Sequence, residues 1–362
     1  MKNLKKTLSV IAILALTMAM TLTGCGGGDS GDAGDQELAD SINILIYPDY
    51  VNEDLIAKFT EETGITVNIN YLEAEEDNQT KLEAGEDLDI VQPCQETAHM
   101  MIEEGLLQEI DKSQIPNLEY LYDEFNTYDF EGEENYSIPY MCGSMSIIVN
   151  KDTCPIEIKT WADLADPALK GQIVSNDIDR RFVATTLAEF GYDFNSTKQE
   201  DLDAIFDWLC DYNDNVKVYD NGAPRTSLEN GECSVAYTYT TEWILINEEM
   251  PDGNWELVTF PEGNYSRGEW MFAIPASSQK STEACMLINY ILDPEHYAEN
   301  LMMYPGIPVI EASVQYLSDE YQEYFKAFEF PETATVHTLE PMTTEQVEMY
   351  DLLISNVMAG GK

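Results

Sequence analysis

Tyr47 and Tyr50 flank Pro48-Asp49 directly after an apolar run, Tyr237 and Tyr239 alternate near the end of another, and Trp270 follows Glu269 at the head of a third. Aromatic rings beside carboxylates can enclose an alkyl-ammonium group, at about 0.5–2 kcal/mol per cation–π contact. Any single ring would equally suit the margin of a hydrophobic core. Their recurrence at the ends of strand-like runs is what favours a binding role.

A second constellation, SNDIDRRF at residues 175–182, sets two aspartates and then two arginines where a helix should start. A cation there opposes the helix dipole, at roughly 0.3–1 kcal/mol per charge. Three arrangements are open. Arg180 can pair with Asp177 or Asp179, face a cleft where its planar fork suits a carboxylate or phosphonate, or point to solvent. Arg181 is an alternative anchor in the second arrangement.

Catalytic patterns are missing from the sequence. His99, His296 and His337 stand in no metal-ligand spacing. Cys94 and His99 lie five apart and could form a thiolate pair only if the fold joins them. There is no phosphate-binding or dinucleotide-binding glycine motif, and Gly143-Ser144 lacks the flanks of a nucleophile elbow. The expectation is a binding protein, not an enzyme, with no cofactor and no metal. A surface enzyme using Cys94 or Cys142 remains the reading from a different class.

The elements that would position these residues alternate between two periods. INILIYP reads as a buried strand, VNEDLIAKFTEETG as an amphipathic helix closed by Gly64, and ITVNINYLE as a second strand. Such a βαβ unit implies a parallel sheet with a right-handed crossover. DLDIVQP and ETAHMMIEEGLLQEI repeat the pattern, and YSIPYMCGSMSIIVN is a long apolar strand run. TWADLADPALKG reads as a short helix capped by Thr160 and ended by Gly171. DRRFVATTLAEFGY, KQEDLDAIFDWLCDY and TTEQVEMYDLLISNVMAG read as helices, and STEACMLINYILDPEHYAENL as one broken at Pro294. The class is α/β, in which ligands sit beyond the carboxyl ends of the strands.

The net charge of −50 disfavours nucleic acid and anionic lipid as partners. It can concentrate small cations near the surface, or merely keep the protein soluble. The chain opens MKNLKK and an apolar stretch ending Leu22-Thr23-Gly24-Cys25, the layout of a secretory leader with a lipobox-like tetrad. Residues 1–24 are expected to be removed and Cys25 lipidated, with an uncleaved anchor as the alternative. Residues 25–41, small and acidic, read as a flexible tether. Six further cysteines show no paired spacing, so no disulfide framework follows, and most should be buried as small hydrophobes.

These segments resemble a family. The lipoprotein-like leader, "LIYPDYVNEDLIAKFTEETGITV", "DLDIVQP", "EEGLLQEIDKS", "YSIPY", "TWADLADPALKG" and "AIPASS…LINYIL" are similar to the spermidine/putrescine-binding proteins of bacterial ABC importers, in order from about residue 42 to the C-terminus. The resemblance implies a two-lobe periplasmic-binding-protein-like fold of type II, with crossing hinge strands and closure around ligand in the cleft. Lobe one would be residues 42–145 plus 271–317, and lobe two 146–270 plus 318–362. It also implies a small-molecule ligand, a permease and an ATPase as partners, and a monomer lipid-anchored to the outer face of the cytoplasmic membrane.

Carried over by position, the resemblance places Tyr47 and Tyr50 where the family has an aromatic residue and a tyrosine after the first strand. Cys94 and Glu96 fall where it has serine and tyrosine. Asp177 matches the aspartate that grips an ammonium group, whereas Arg180 stands where the family has glutamate. Tyr237 replaces a tryptophan, Glu269-Trp270 overlie a displaced Trp-x-Asp, and Glu340 falls near a glutamine. The resemblance therefore implies polyamine as ligand, with a carboxylate or phosphonate as the alternative if an arginine faces the cleft.

Overall fold

A ten-stranded sheet runs in the order β2-β1-β3-β9-β4-β7-β5-β6, with β10 beside β9 and β8 beside β4. The strands are β1 (Ser41–Ile46), β2 (Thr66–Tyr71), β3 (Ile90–Val91), β4 (Ser137–Asn150), β5 (Ile173–Ser175), β6 (Val216–Tyr219), β7 (Val235–Tyr239), β8 (Trp255–Val258), β9 (Asn264–Ala273) and β10 (Thr335–His337). The helices are α1 (Glu53–Thr63), α2 (Asp77–Glu83), α3 (Gln95–Glu103), α4 (Arg180–Glu189), α5 (Gln199–Asn215), α6 (Arg225–Glu229), α7 (Thr241–Glu249), α8 (Ser281–Ile291), α9 (Pro294–Met303), α10 (Asp319–Ala327) and α11 (Thr344–Met358). This computed structural model describes residues 38–360 apart from 49, 126–131, 133 and 329, so the leader, Cys25 and most of the tether lie outside the described residues.

The first βαβ unit forms as its pattern predicts. β1 pairs in parallel with β2 and β3. Between β1 and β2, α1 starts at Asn52, whose side chain accepts from Asp54 N, and stops at Gly64 with φ 79°. That left-handed conformation is one a side chain would resist. In the second half, β5 pairs in parallel with β6 and β7. Two long antiparallel strands join the halves: β4 pairs with β9 through Ser137–Ser144, then with β7 and β8 beyond it.

Two hydrophobic cores lie on either side of this crossing and make a two-lobe α/β fold. One gathers Ile44, Phe59, Tyr140, Phe272 and Leu301. The other gathers Ile147, Trp161, Phe182, Ile205 and Leu353. None of the six cysteines of the described body is joined in a disulfide, and Cys142, Cys210, Cys233 and Cys285 are buried.

One expected element differs. TWADLADPALKG forms two 3-10 turns, Trp161–Ala165 and Pro167–Leu169, rather than one helix. Thr160 and Asp163 do make the capping box, but Pro167 has no N–H to continue the ladder, so a new turn begins there, capped by Asp166. The Pro294 break is as expected: Asp293 caps α9 through Glu295 N and His296 N.

Candidate functional site

A cluster of half-buried aromatic rings is built from the loop after β1 (Tyr47, Tyr50), the end of β7 (Tyr239), the interior of β9 (Trp270) and the end of α9 (Tyr304). Tyr50 is its centre, with ring centroids 5.4 Å from Tyr47, 5.7 Å from Trp270 and 4.8 Å from Tyr304. Trp270 also lies 6.1 Å from Tyr239. Half-burial separates these rings from the fully buried Tyr140, Tyr212, Tyr237 and Tyr297, which serve the cores. A half-buried ring keeps one face for a ligand.

Buried polar contacts fix this cluster in place. The hydroxyl of Tyr140 donates to the carbonyl of Tyr50, Tyr297 donates to the Tyr140 carbonyl at 2.7 Å, and Asn300 accepts from Asn52 N at 2.8 Å. The loop after β1 is thereby pinned to α9. Tyr47 N donates to Gln92 Oε1 at 3.0 Å, tying the same loop to the end of β3. Gly143 lies where β4 leaves β9 for β7, and a Cβ there would stand 3.2 Å from Trp270 Cζ3. Gly143→Ala is expected to displace the indole and weaken ligand binding about tenfold, with only a small change in melting temperature. Calorimetric titration beside a thermal melt checks both parts.

Among the described residues, Glu75, in the loop between β2 and α2, is an acid hydrogen-bonded to a ring of the cluster. It accepts from Tyr47 Oη at 2.6 Å and from Cys94 N at 2.7 Å. Burial first, then Glu75, pushes the Tyr47 phenol far up, so it stays neutral and donates. Burial, and then Glu96 and Glu75, likewise hold the Cys94 thiol well above its ordinary value, while its sulfur lies 3.3 Å from Thr97 Oγ1. A protonated, partnered thiol is a poor nucleophile.

Across the cleft, Asp179 caps α4 by accepting from Phe182 N at 2.8 Å. It is exposed, yet protein surrounds it closely enough that burial pushes its carboxyl up, against the opposing pull of Arg181. The Tyr237 hydroxyl, influenced first by burial and then by Asp179, is buried and has no hydrogen-bond partner. Arg181 reaches towards Glu96 with Nη2 3.7 Å from Oε1.

Of the ten residues singled out from the sequence, Tyr47, Tyr50, Cys94 and Trp270 come together directly, Cys94 and Trp270 as an antiparallel bridge. Glu96 joins them through Arg181. Tyr237 lies deeper, its ring 4.9 Å from Phe182 and 5.7 Å from Trp161. Asp177 is exposed and exchanges hydrogen bonds with Asn221 at 2.9 and 2.7 Å. Arg180 pairs with neither aspartate. Its Nη2 donates to the main-chain carbonyl of Glu340 and lies 3.4 Å from Asn195 Oδ1. Arg180 and Glu96 line one cavity of about 250 Å³ that also borders α11.

Glu269 turns away from Trp270, because consecutive strand residues point to opposite faces. It forms an ion pair with Arg267 at 2.9 Å on the other side of β9. Glu75 and Tyr304 complete the site without having been singled out, Asp179 joins it although it was considered only as a partner for Arg180, and Tyr239 contributes where Tyr237 was expected. Only Tyr239 and Asp179 had a sequence signal, the first from its alternation with Tyr237 and the second from its N-cap position.

Comparison with known proteins gives consistent relatives. The sequence model of the bacterial extracellular solute-binding protein family matches residues 54–329. The spermidine/putrescine-binding periplasmic protein of Escherichia coli (strain K12) is 31% identical over 266 residues, covering 71% of this chain and 75% of that one. Spermidine/putrescine-binding periplasmic protein 1 of Haemophilus influenzae is 28% identical over 303 residues, covering 82% and 83%. Among solved structures, the spermidine/putrescine ABC transporter substrate-binding protein PotD from Streptococcus pneumoniae superposes with a TM-score of 0.78 at 24% identity, over 90% of this chain and all of that one. A lipoprotein of Treponema pallidum gives 0.76 at 24%, over 88% and 99%. At that identity the two structures speak for the fold alone.

Proposed function

Since the chain belongs to the bacterial extracellular solute-binding proteins, and within them to the spermidine/putrescine-binding family, we propose that it binds a small polyamine between its two lobes and delivers it to a membrane permease and its ATPase. The family consists of binding components of ABC importers, not enzymes, and no nucleic-acid partner is proposed. The observation that carries the reading is the half-buried cluster of Tyr47, Tyr50, Tyr239, Trp270 and Tyr304 beside the Glu75 carboxylate.

Ring faces there supply electron density to the methylenes and charge of an amine, and Glu75, Glu96 and Asp179 supply counter-charge. We further infer that Cys25 carries the lipid that tethers the protein, as a monomer, to the outer face of the cytoplasmic membrane. Incorporation of a labelled fatty acid, lost in Cys25→Ser, tests that step.

A second reading is favoured by one observation, the guanidinium of Arg181 inside the cleft. On that reading the ligand carries a carboxylate or phosphonate. Calorimetric titration at low salt with putrescine and spermidine, beside a panel of carboxylates and phosphonates, separates the two. Micromolar or tighter binding of an amine supports the polyamine reading. Heat with an anion, and none with either amine, overturns it.

A further inference from the structure

Arg181 stands where its own helix disfavours it. It is the second residue of α4, whose unpaired N–H groups make that end positive. Even so, its side chain is only 16% exposed. The guanidinium lies over Gly268, where a Cβ would stand 3.0 Å from Nη1, and Nη1 donates to Ser266 Oγ at 3.0 Å. Burial alone would push its pKa down, but Glu96, Tyr239, Asp179 and Cys94 together hold it up.

Glu96 and Cys94 stand at the head of α3 in one lobe, and Asp179 at the N-cap of α4 and Tyr239 at the end of β7 in the other. A cation held by acids of both lobes beside the aromatic cluster has the surroundings of a ligand's ammonium group. This one is part of the chain.

We propose that Arg181 is a resident cation of the cleft and thereby a specificity-determining residue that caps the charge of the ligand. The claim rests on reading the cleft as an amine site. Among the described residues, Glu75, Glu96 and Asp179 are countered in the cleft by Arg181, while Arg180, which shares a cavity with Glu96, donates to the Glu340 carbonyl, so at most two negative charges are left for a ligand. That matches the two ammonium groups of a diamine. The third ammonium of a triamine would face Arg181 with no acid of its own, and like charges brought together out of water repel strongly. A carboxylate entering beside Arg181 would in turn meet Glu96 and Asp179, which already take its charge.

The test titrates putrescine, spermidine and γ-aminobutyrate into the wild-type protein, Arg181→Gln and Gly268→Ala, with thermal melts to confirm folding. The wild type is expected to bind putrescine about tenfold or more tighter than spermidine. Arg181→Gln should move that ratio about tenfold or more towards spermidine. Gly268→Ala, which displaces the guanidinium without deleting it, should move the ratio in the same direction. An unchanged ratio in both variants overturns the proposal. So does binding of γ-aminobutyrate that Arg181→Gln abolishes, since Arg181 would then grip a carboxylate. If the wild type binds neither amine, the polyamine reading falls. Spermidine binding gained by Arg181→Gln would even then support the resident cation, and none gained would overturn it.

Discussion

Replacing Trp270 with alanine is expected to weaken amine binding by about 100-fold. The indole packs against Tyr50 on one side and Tyr239 on the other, and Gly143 leaves room for it. A desolvated cation–π contact contributes about 2 kcal/mol. Releasing Tyr50 and Tyr239 from their common neighbour should cost about 1 kcal/mol more, and together that is about two decades in affinity. Trp270→Phe keeps a ring in place and should recover roughly half of the loss in free energy. Because Trp270 is only half-buried, the melting temperature without ligand should move by no more than a few degrees. Calorimetric titration of both variants reads the result, and Kd values within threefold of wild type would show that the aromatic cluster is not where the ligand binds.

Much of this architecture was legible because hydrophobic period is a local signal. The alternation of strand and helix from Ser41 to Glu103, the stop at Gly64, and the break at Pro294 all follow from residues close in sequence. The site was legible where a residue follows a strand directly, as at Tyr47, Tyr50 and Cys94, and at Trp270, an aromatic residue beside a carboxylate. Glu75 stands among Glu73, Glu76 and Asp77, and nothing local distinguishes the acid that meets Tyr47 from those that meet water. Tyr304 reaches Tyr50 across more than 250 residues of chain. Arg180 and Arg181 differ by one helical step of about 100°, enough to turn one outward to Glu340 and the other inward to Glu96. Which faces in depends on how α4 packs, and that is tertiary. Glu269 is the instructive case, since the period of two in a strand already forbids it from sharing a face with Trp270.

The largest expected effect on stability lies beneath the site. Asp89, with its side chain 1% exposed, accepts from Asn43 N at 2.8 Å, Ser278 Oγ at 2.7 Å and Lys280 Nζ at 2.9 Å. It thereby joins β1, the start of β3 and the approach to α8. Lys280→Met leaves that carboxylate in the interior without its cation, which costs about 3–5 kcal/mol. In a body of this size the melting temperature should fall by about 5–8 °C. Adding Asp89→Asn removes the unpaired charge, so the double variant should melt above Lys280→Met alone. An additive loss would mean that the two groups do not interact. Tyr47 is held through Gln92 and Cys94 through Glu75 rather than through Asp89 itself, so the folded fraction of Lys280→Met should keep wild-type affinity. Ligand at 100 times its Kd should then raise both proteins by the same increment, about 2.7 kcal/mol. A smaller increment in the variant would mean that the foundation of the sheet and the geometry of the cleft are not separable.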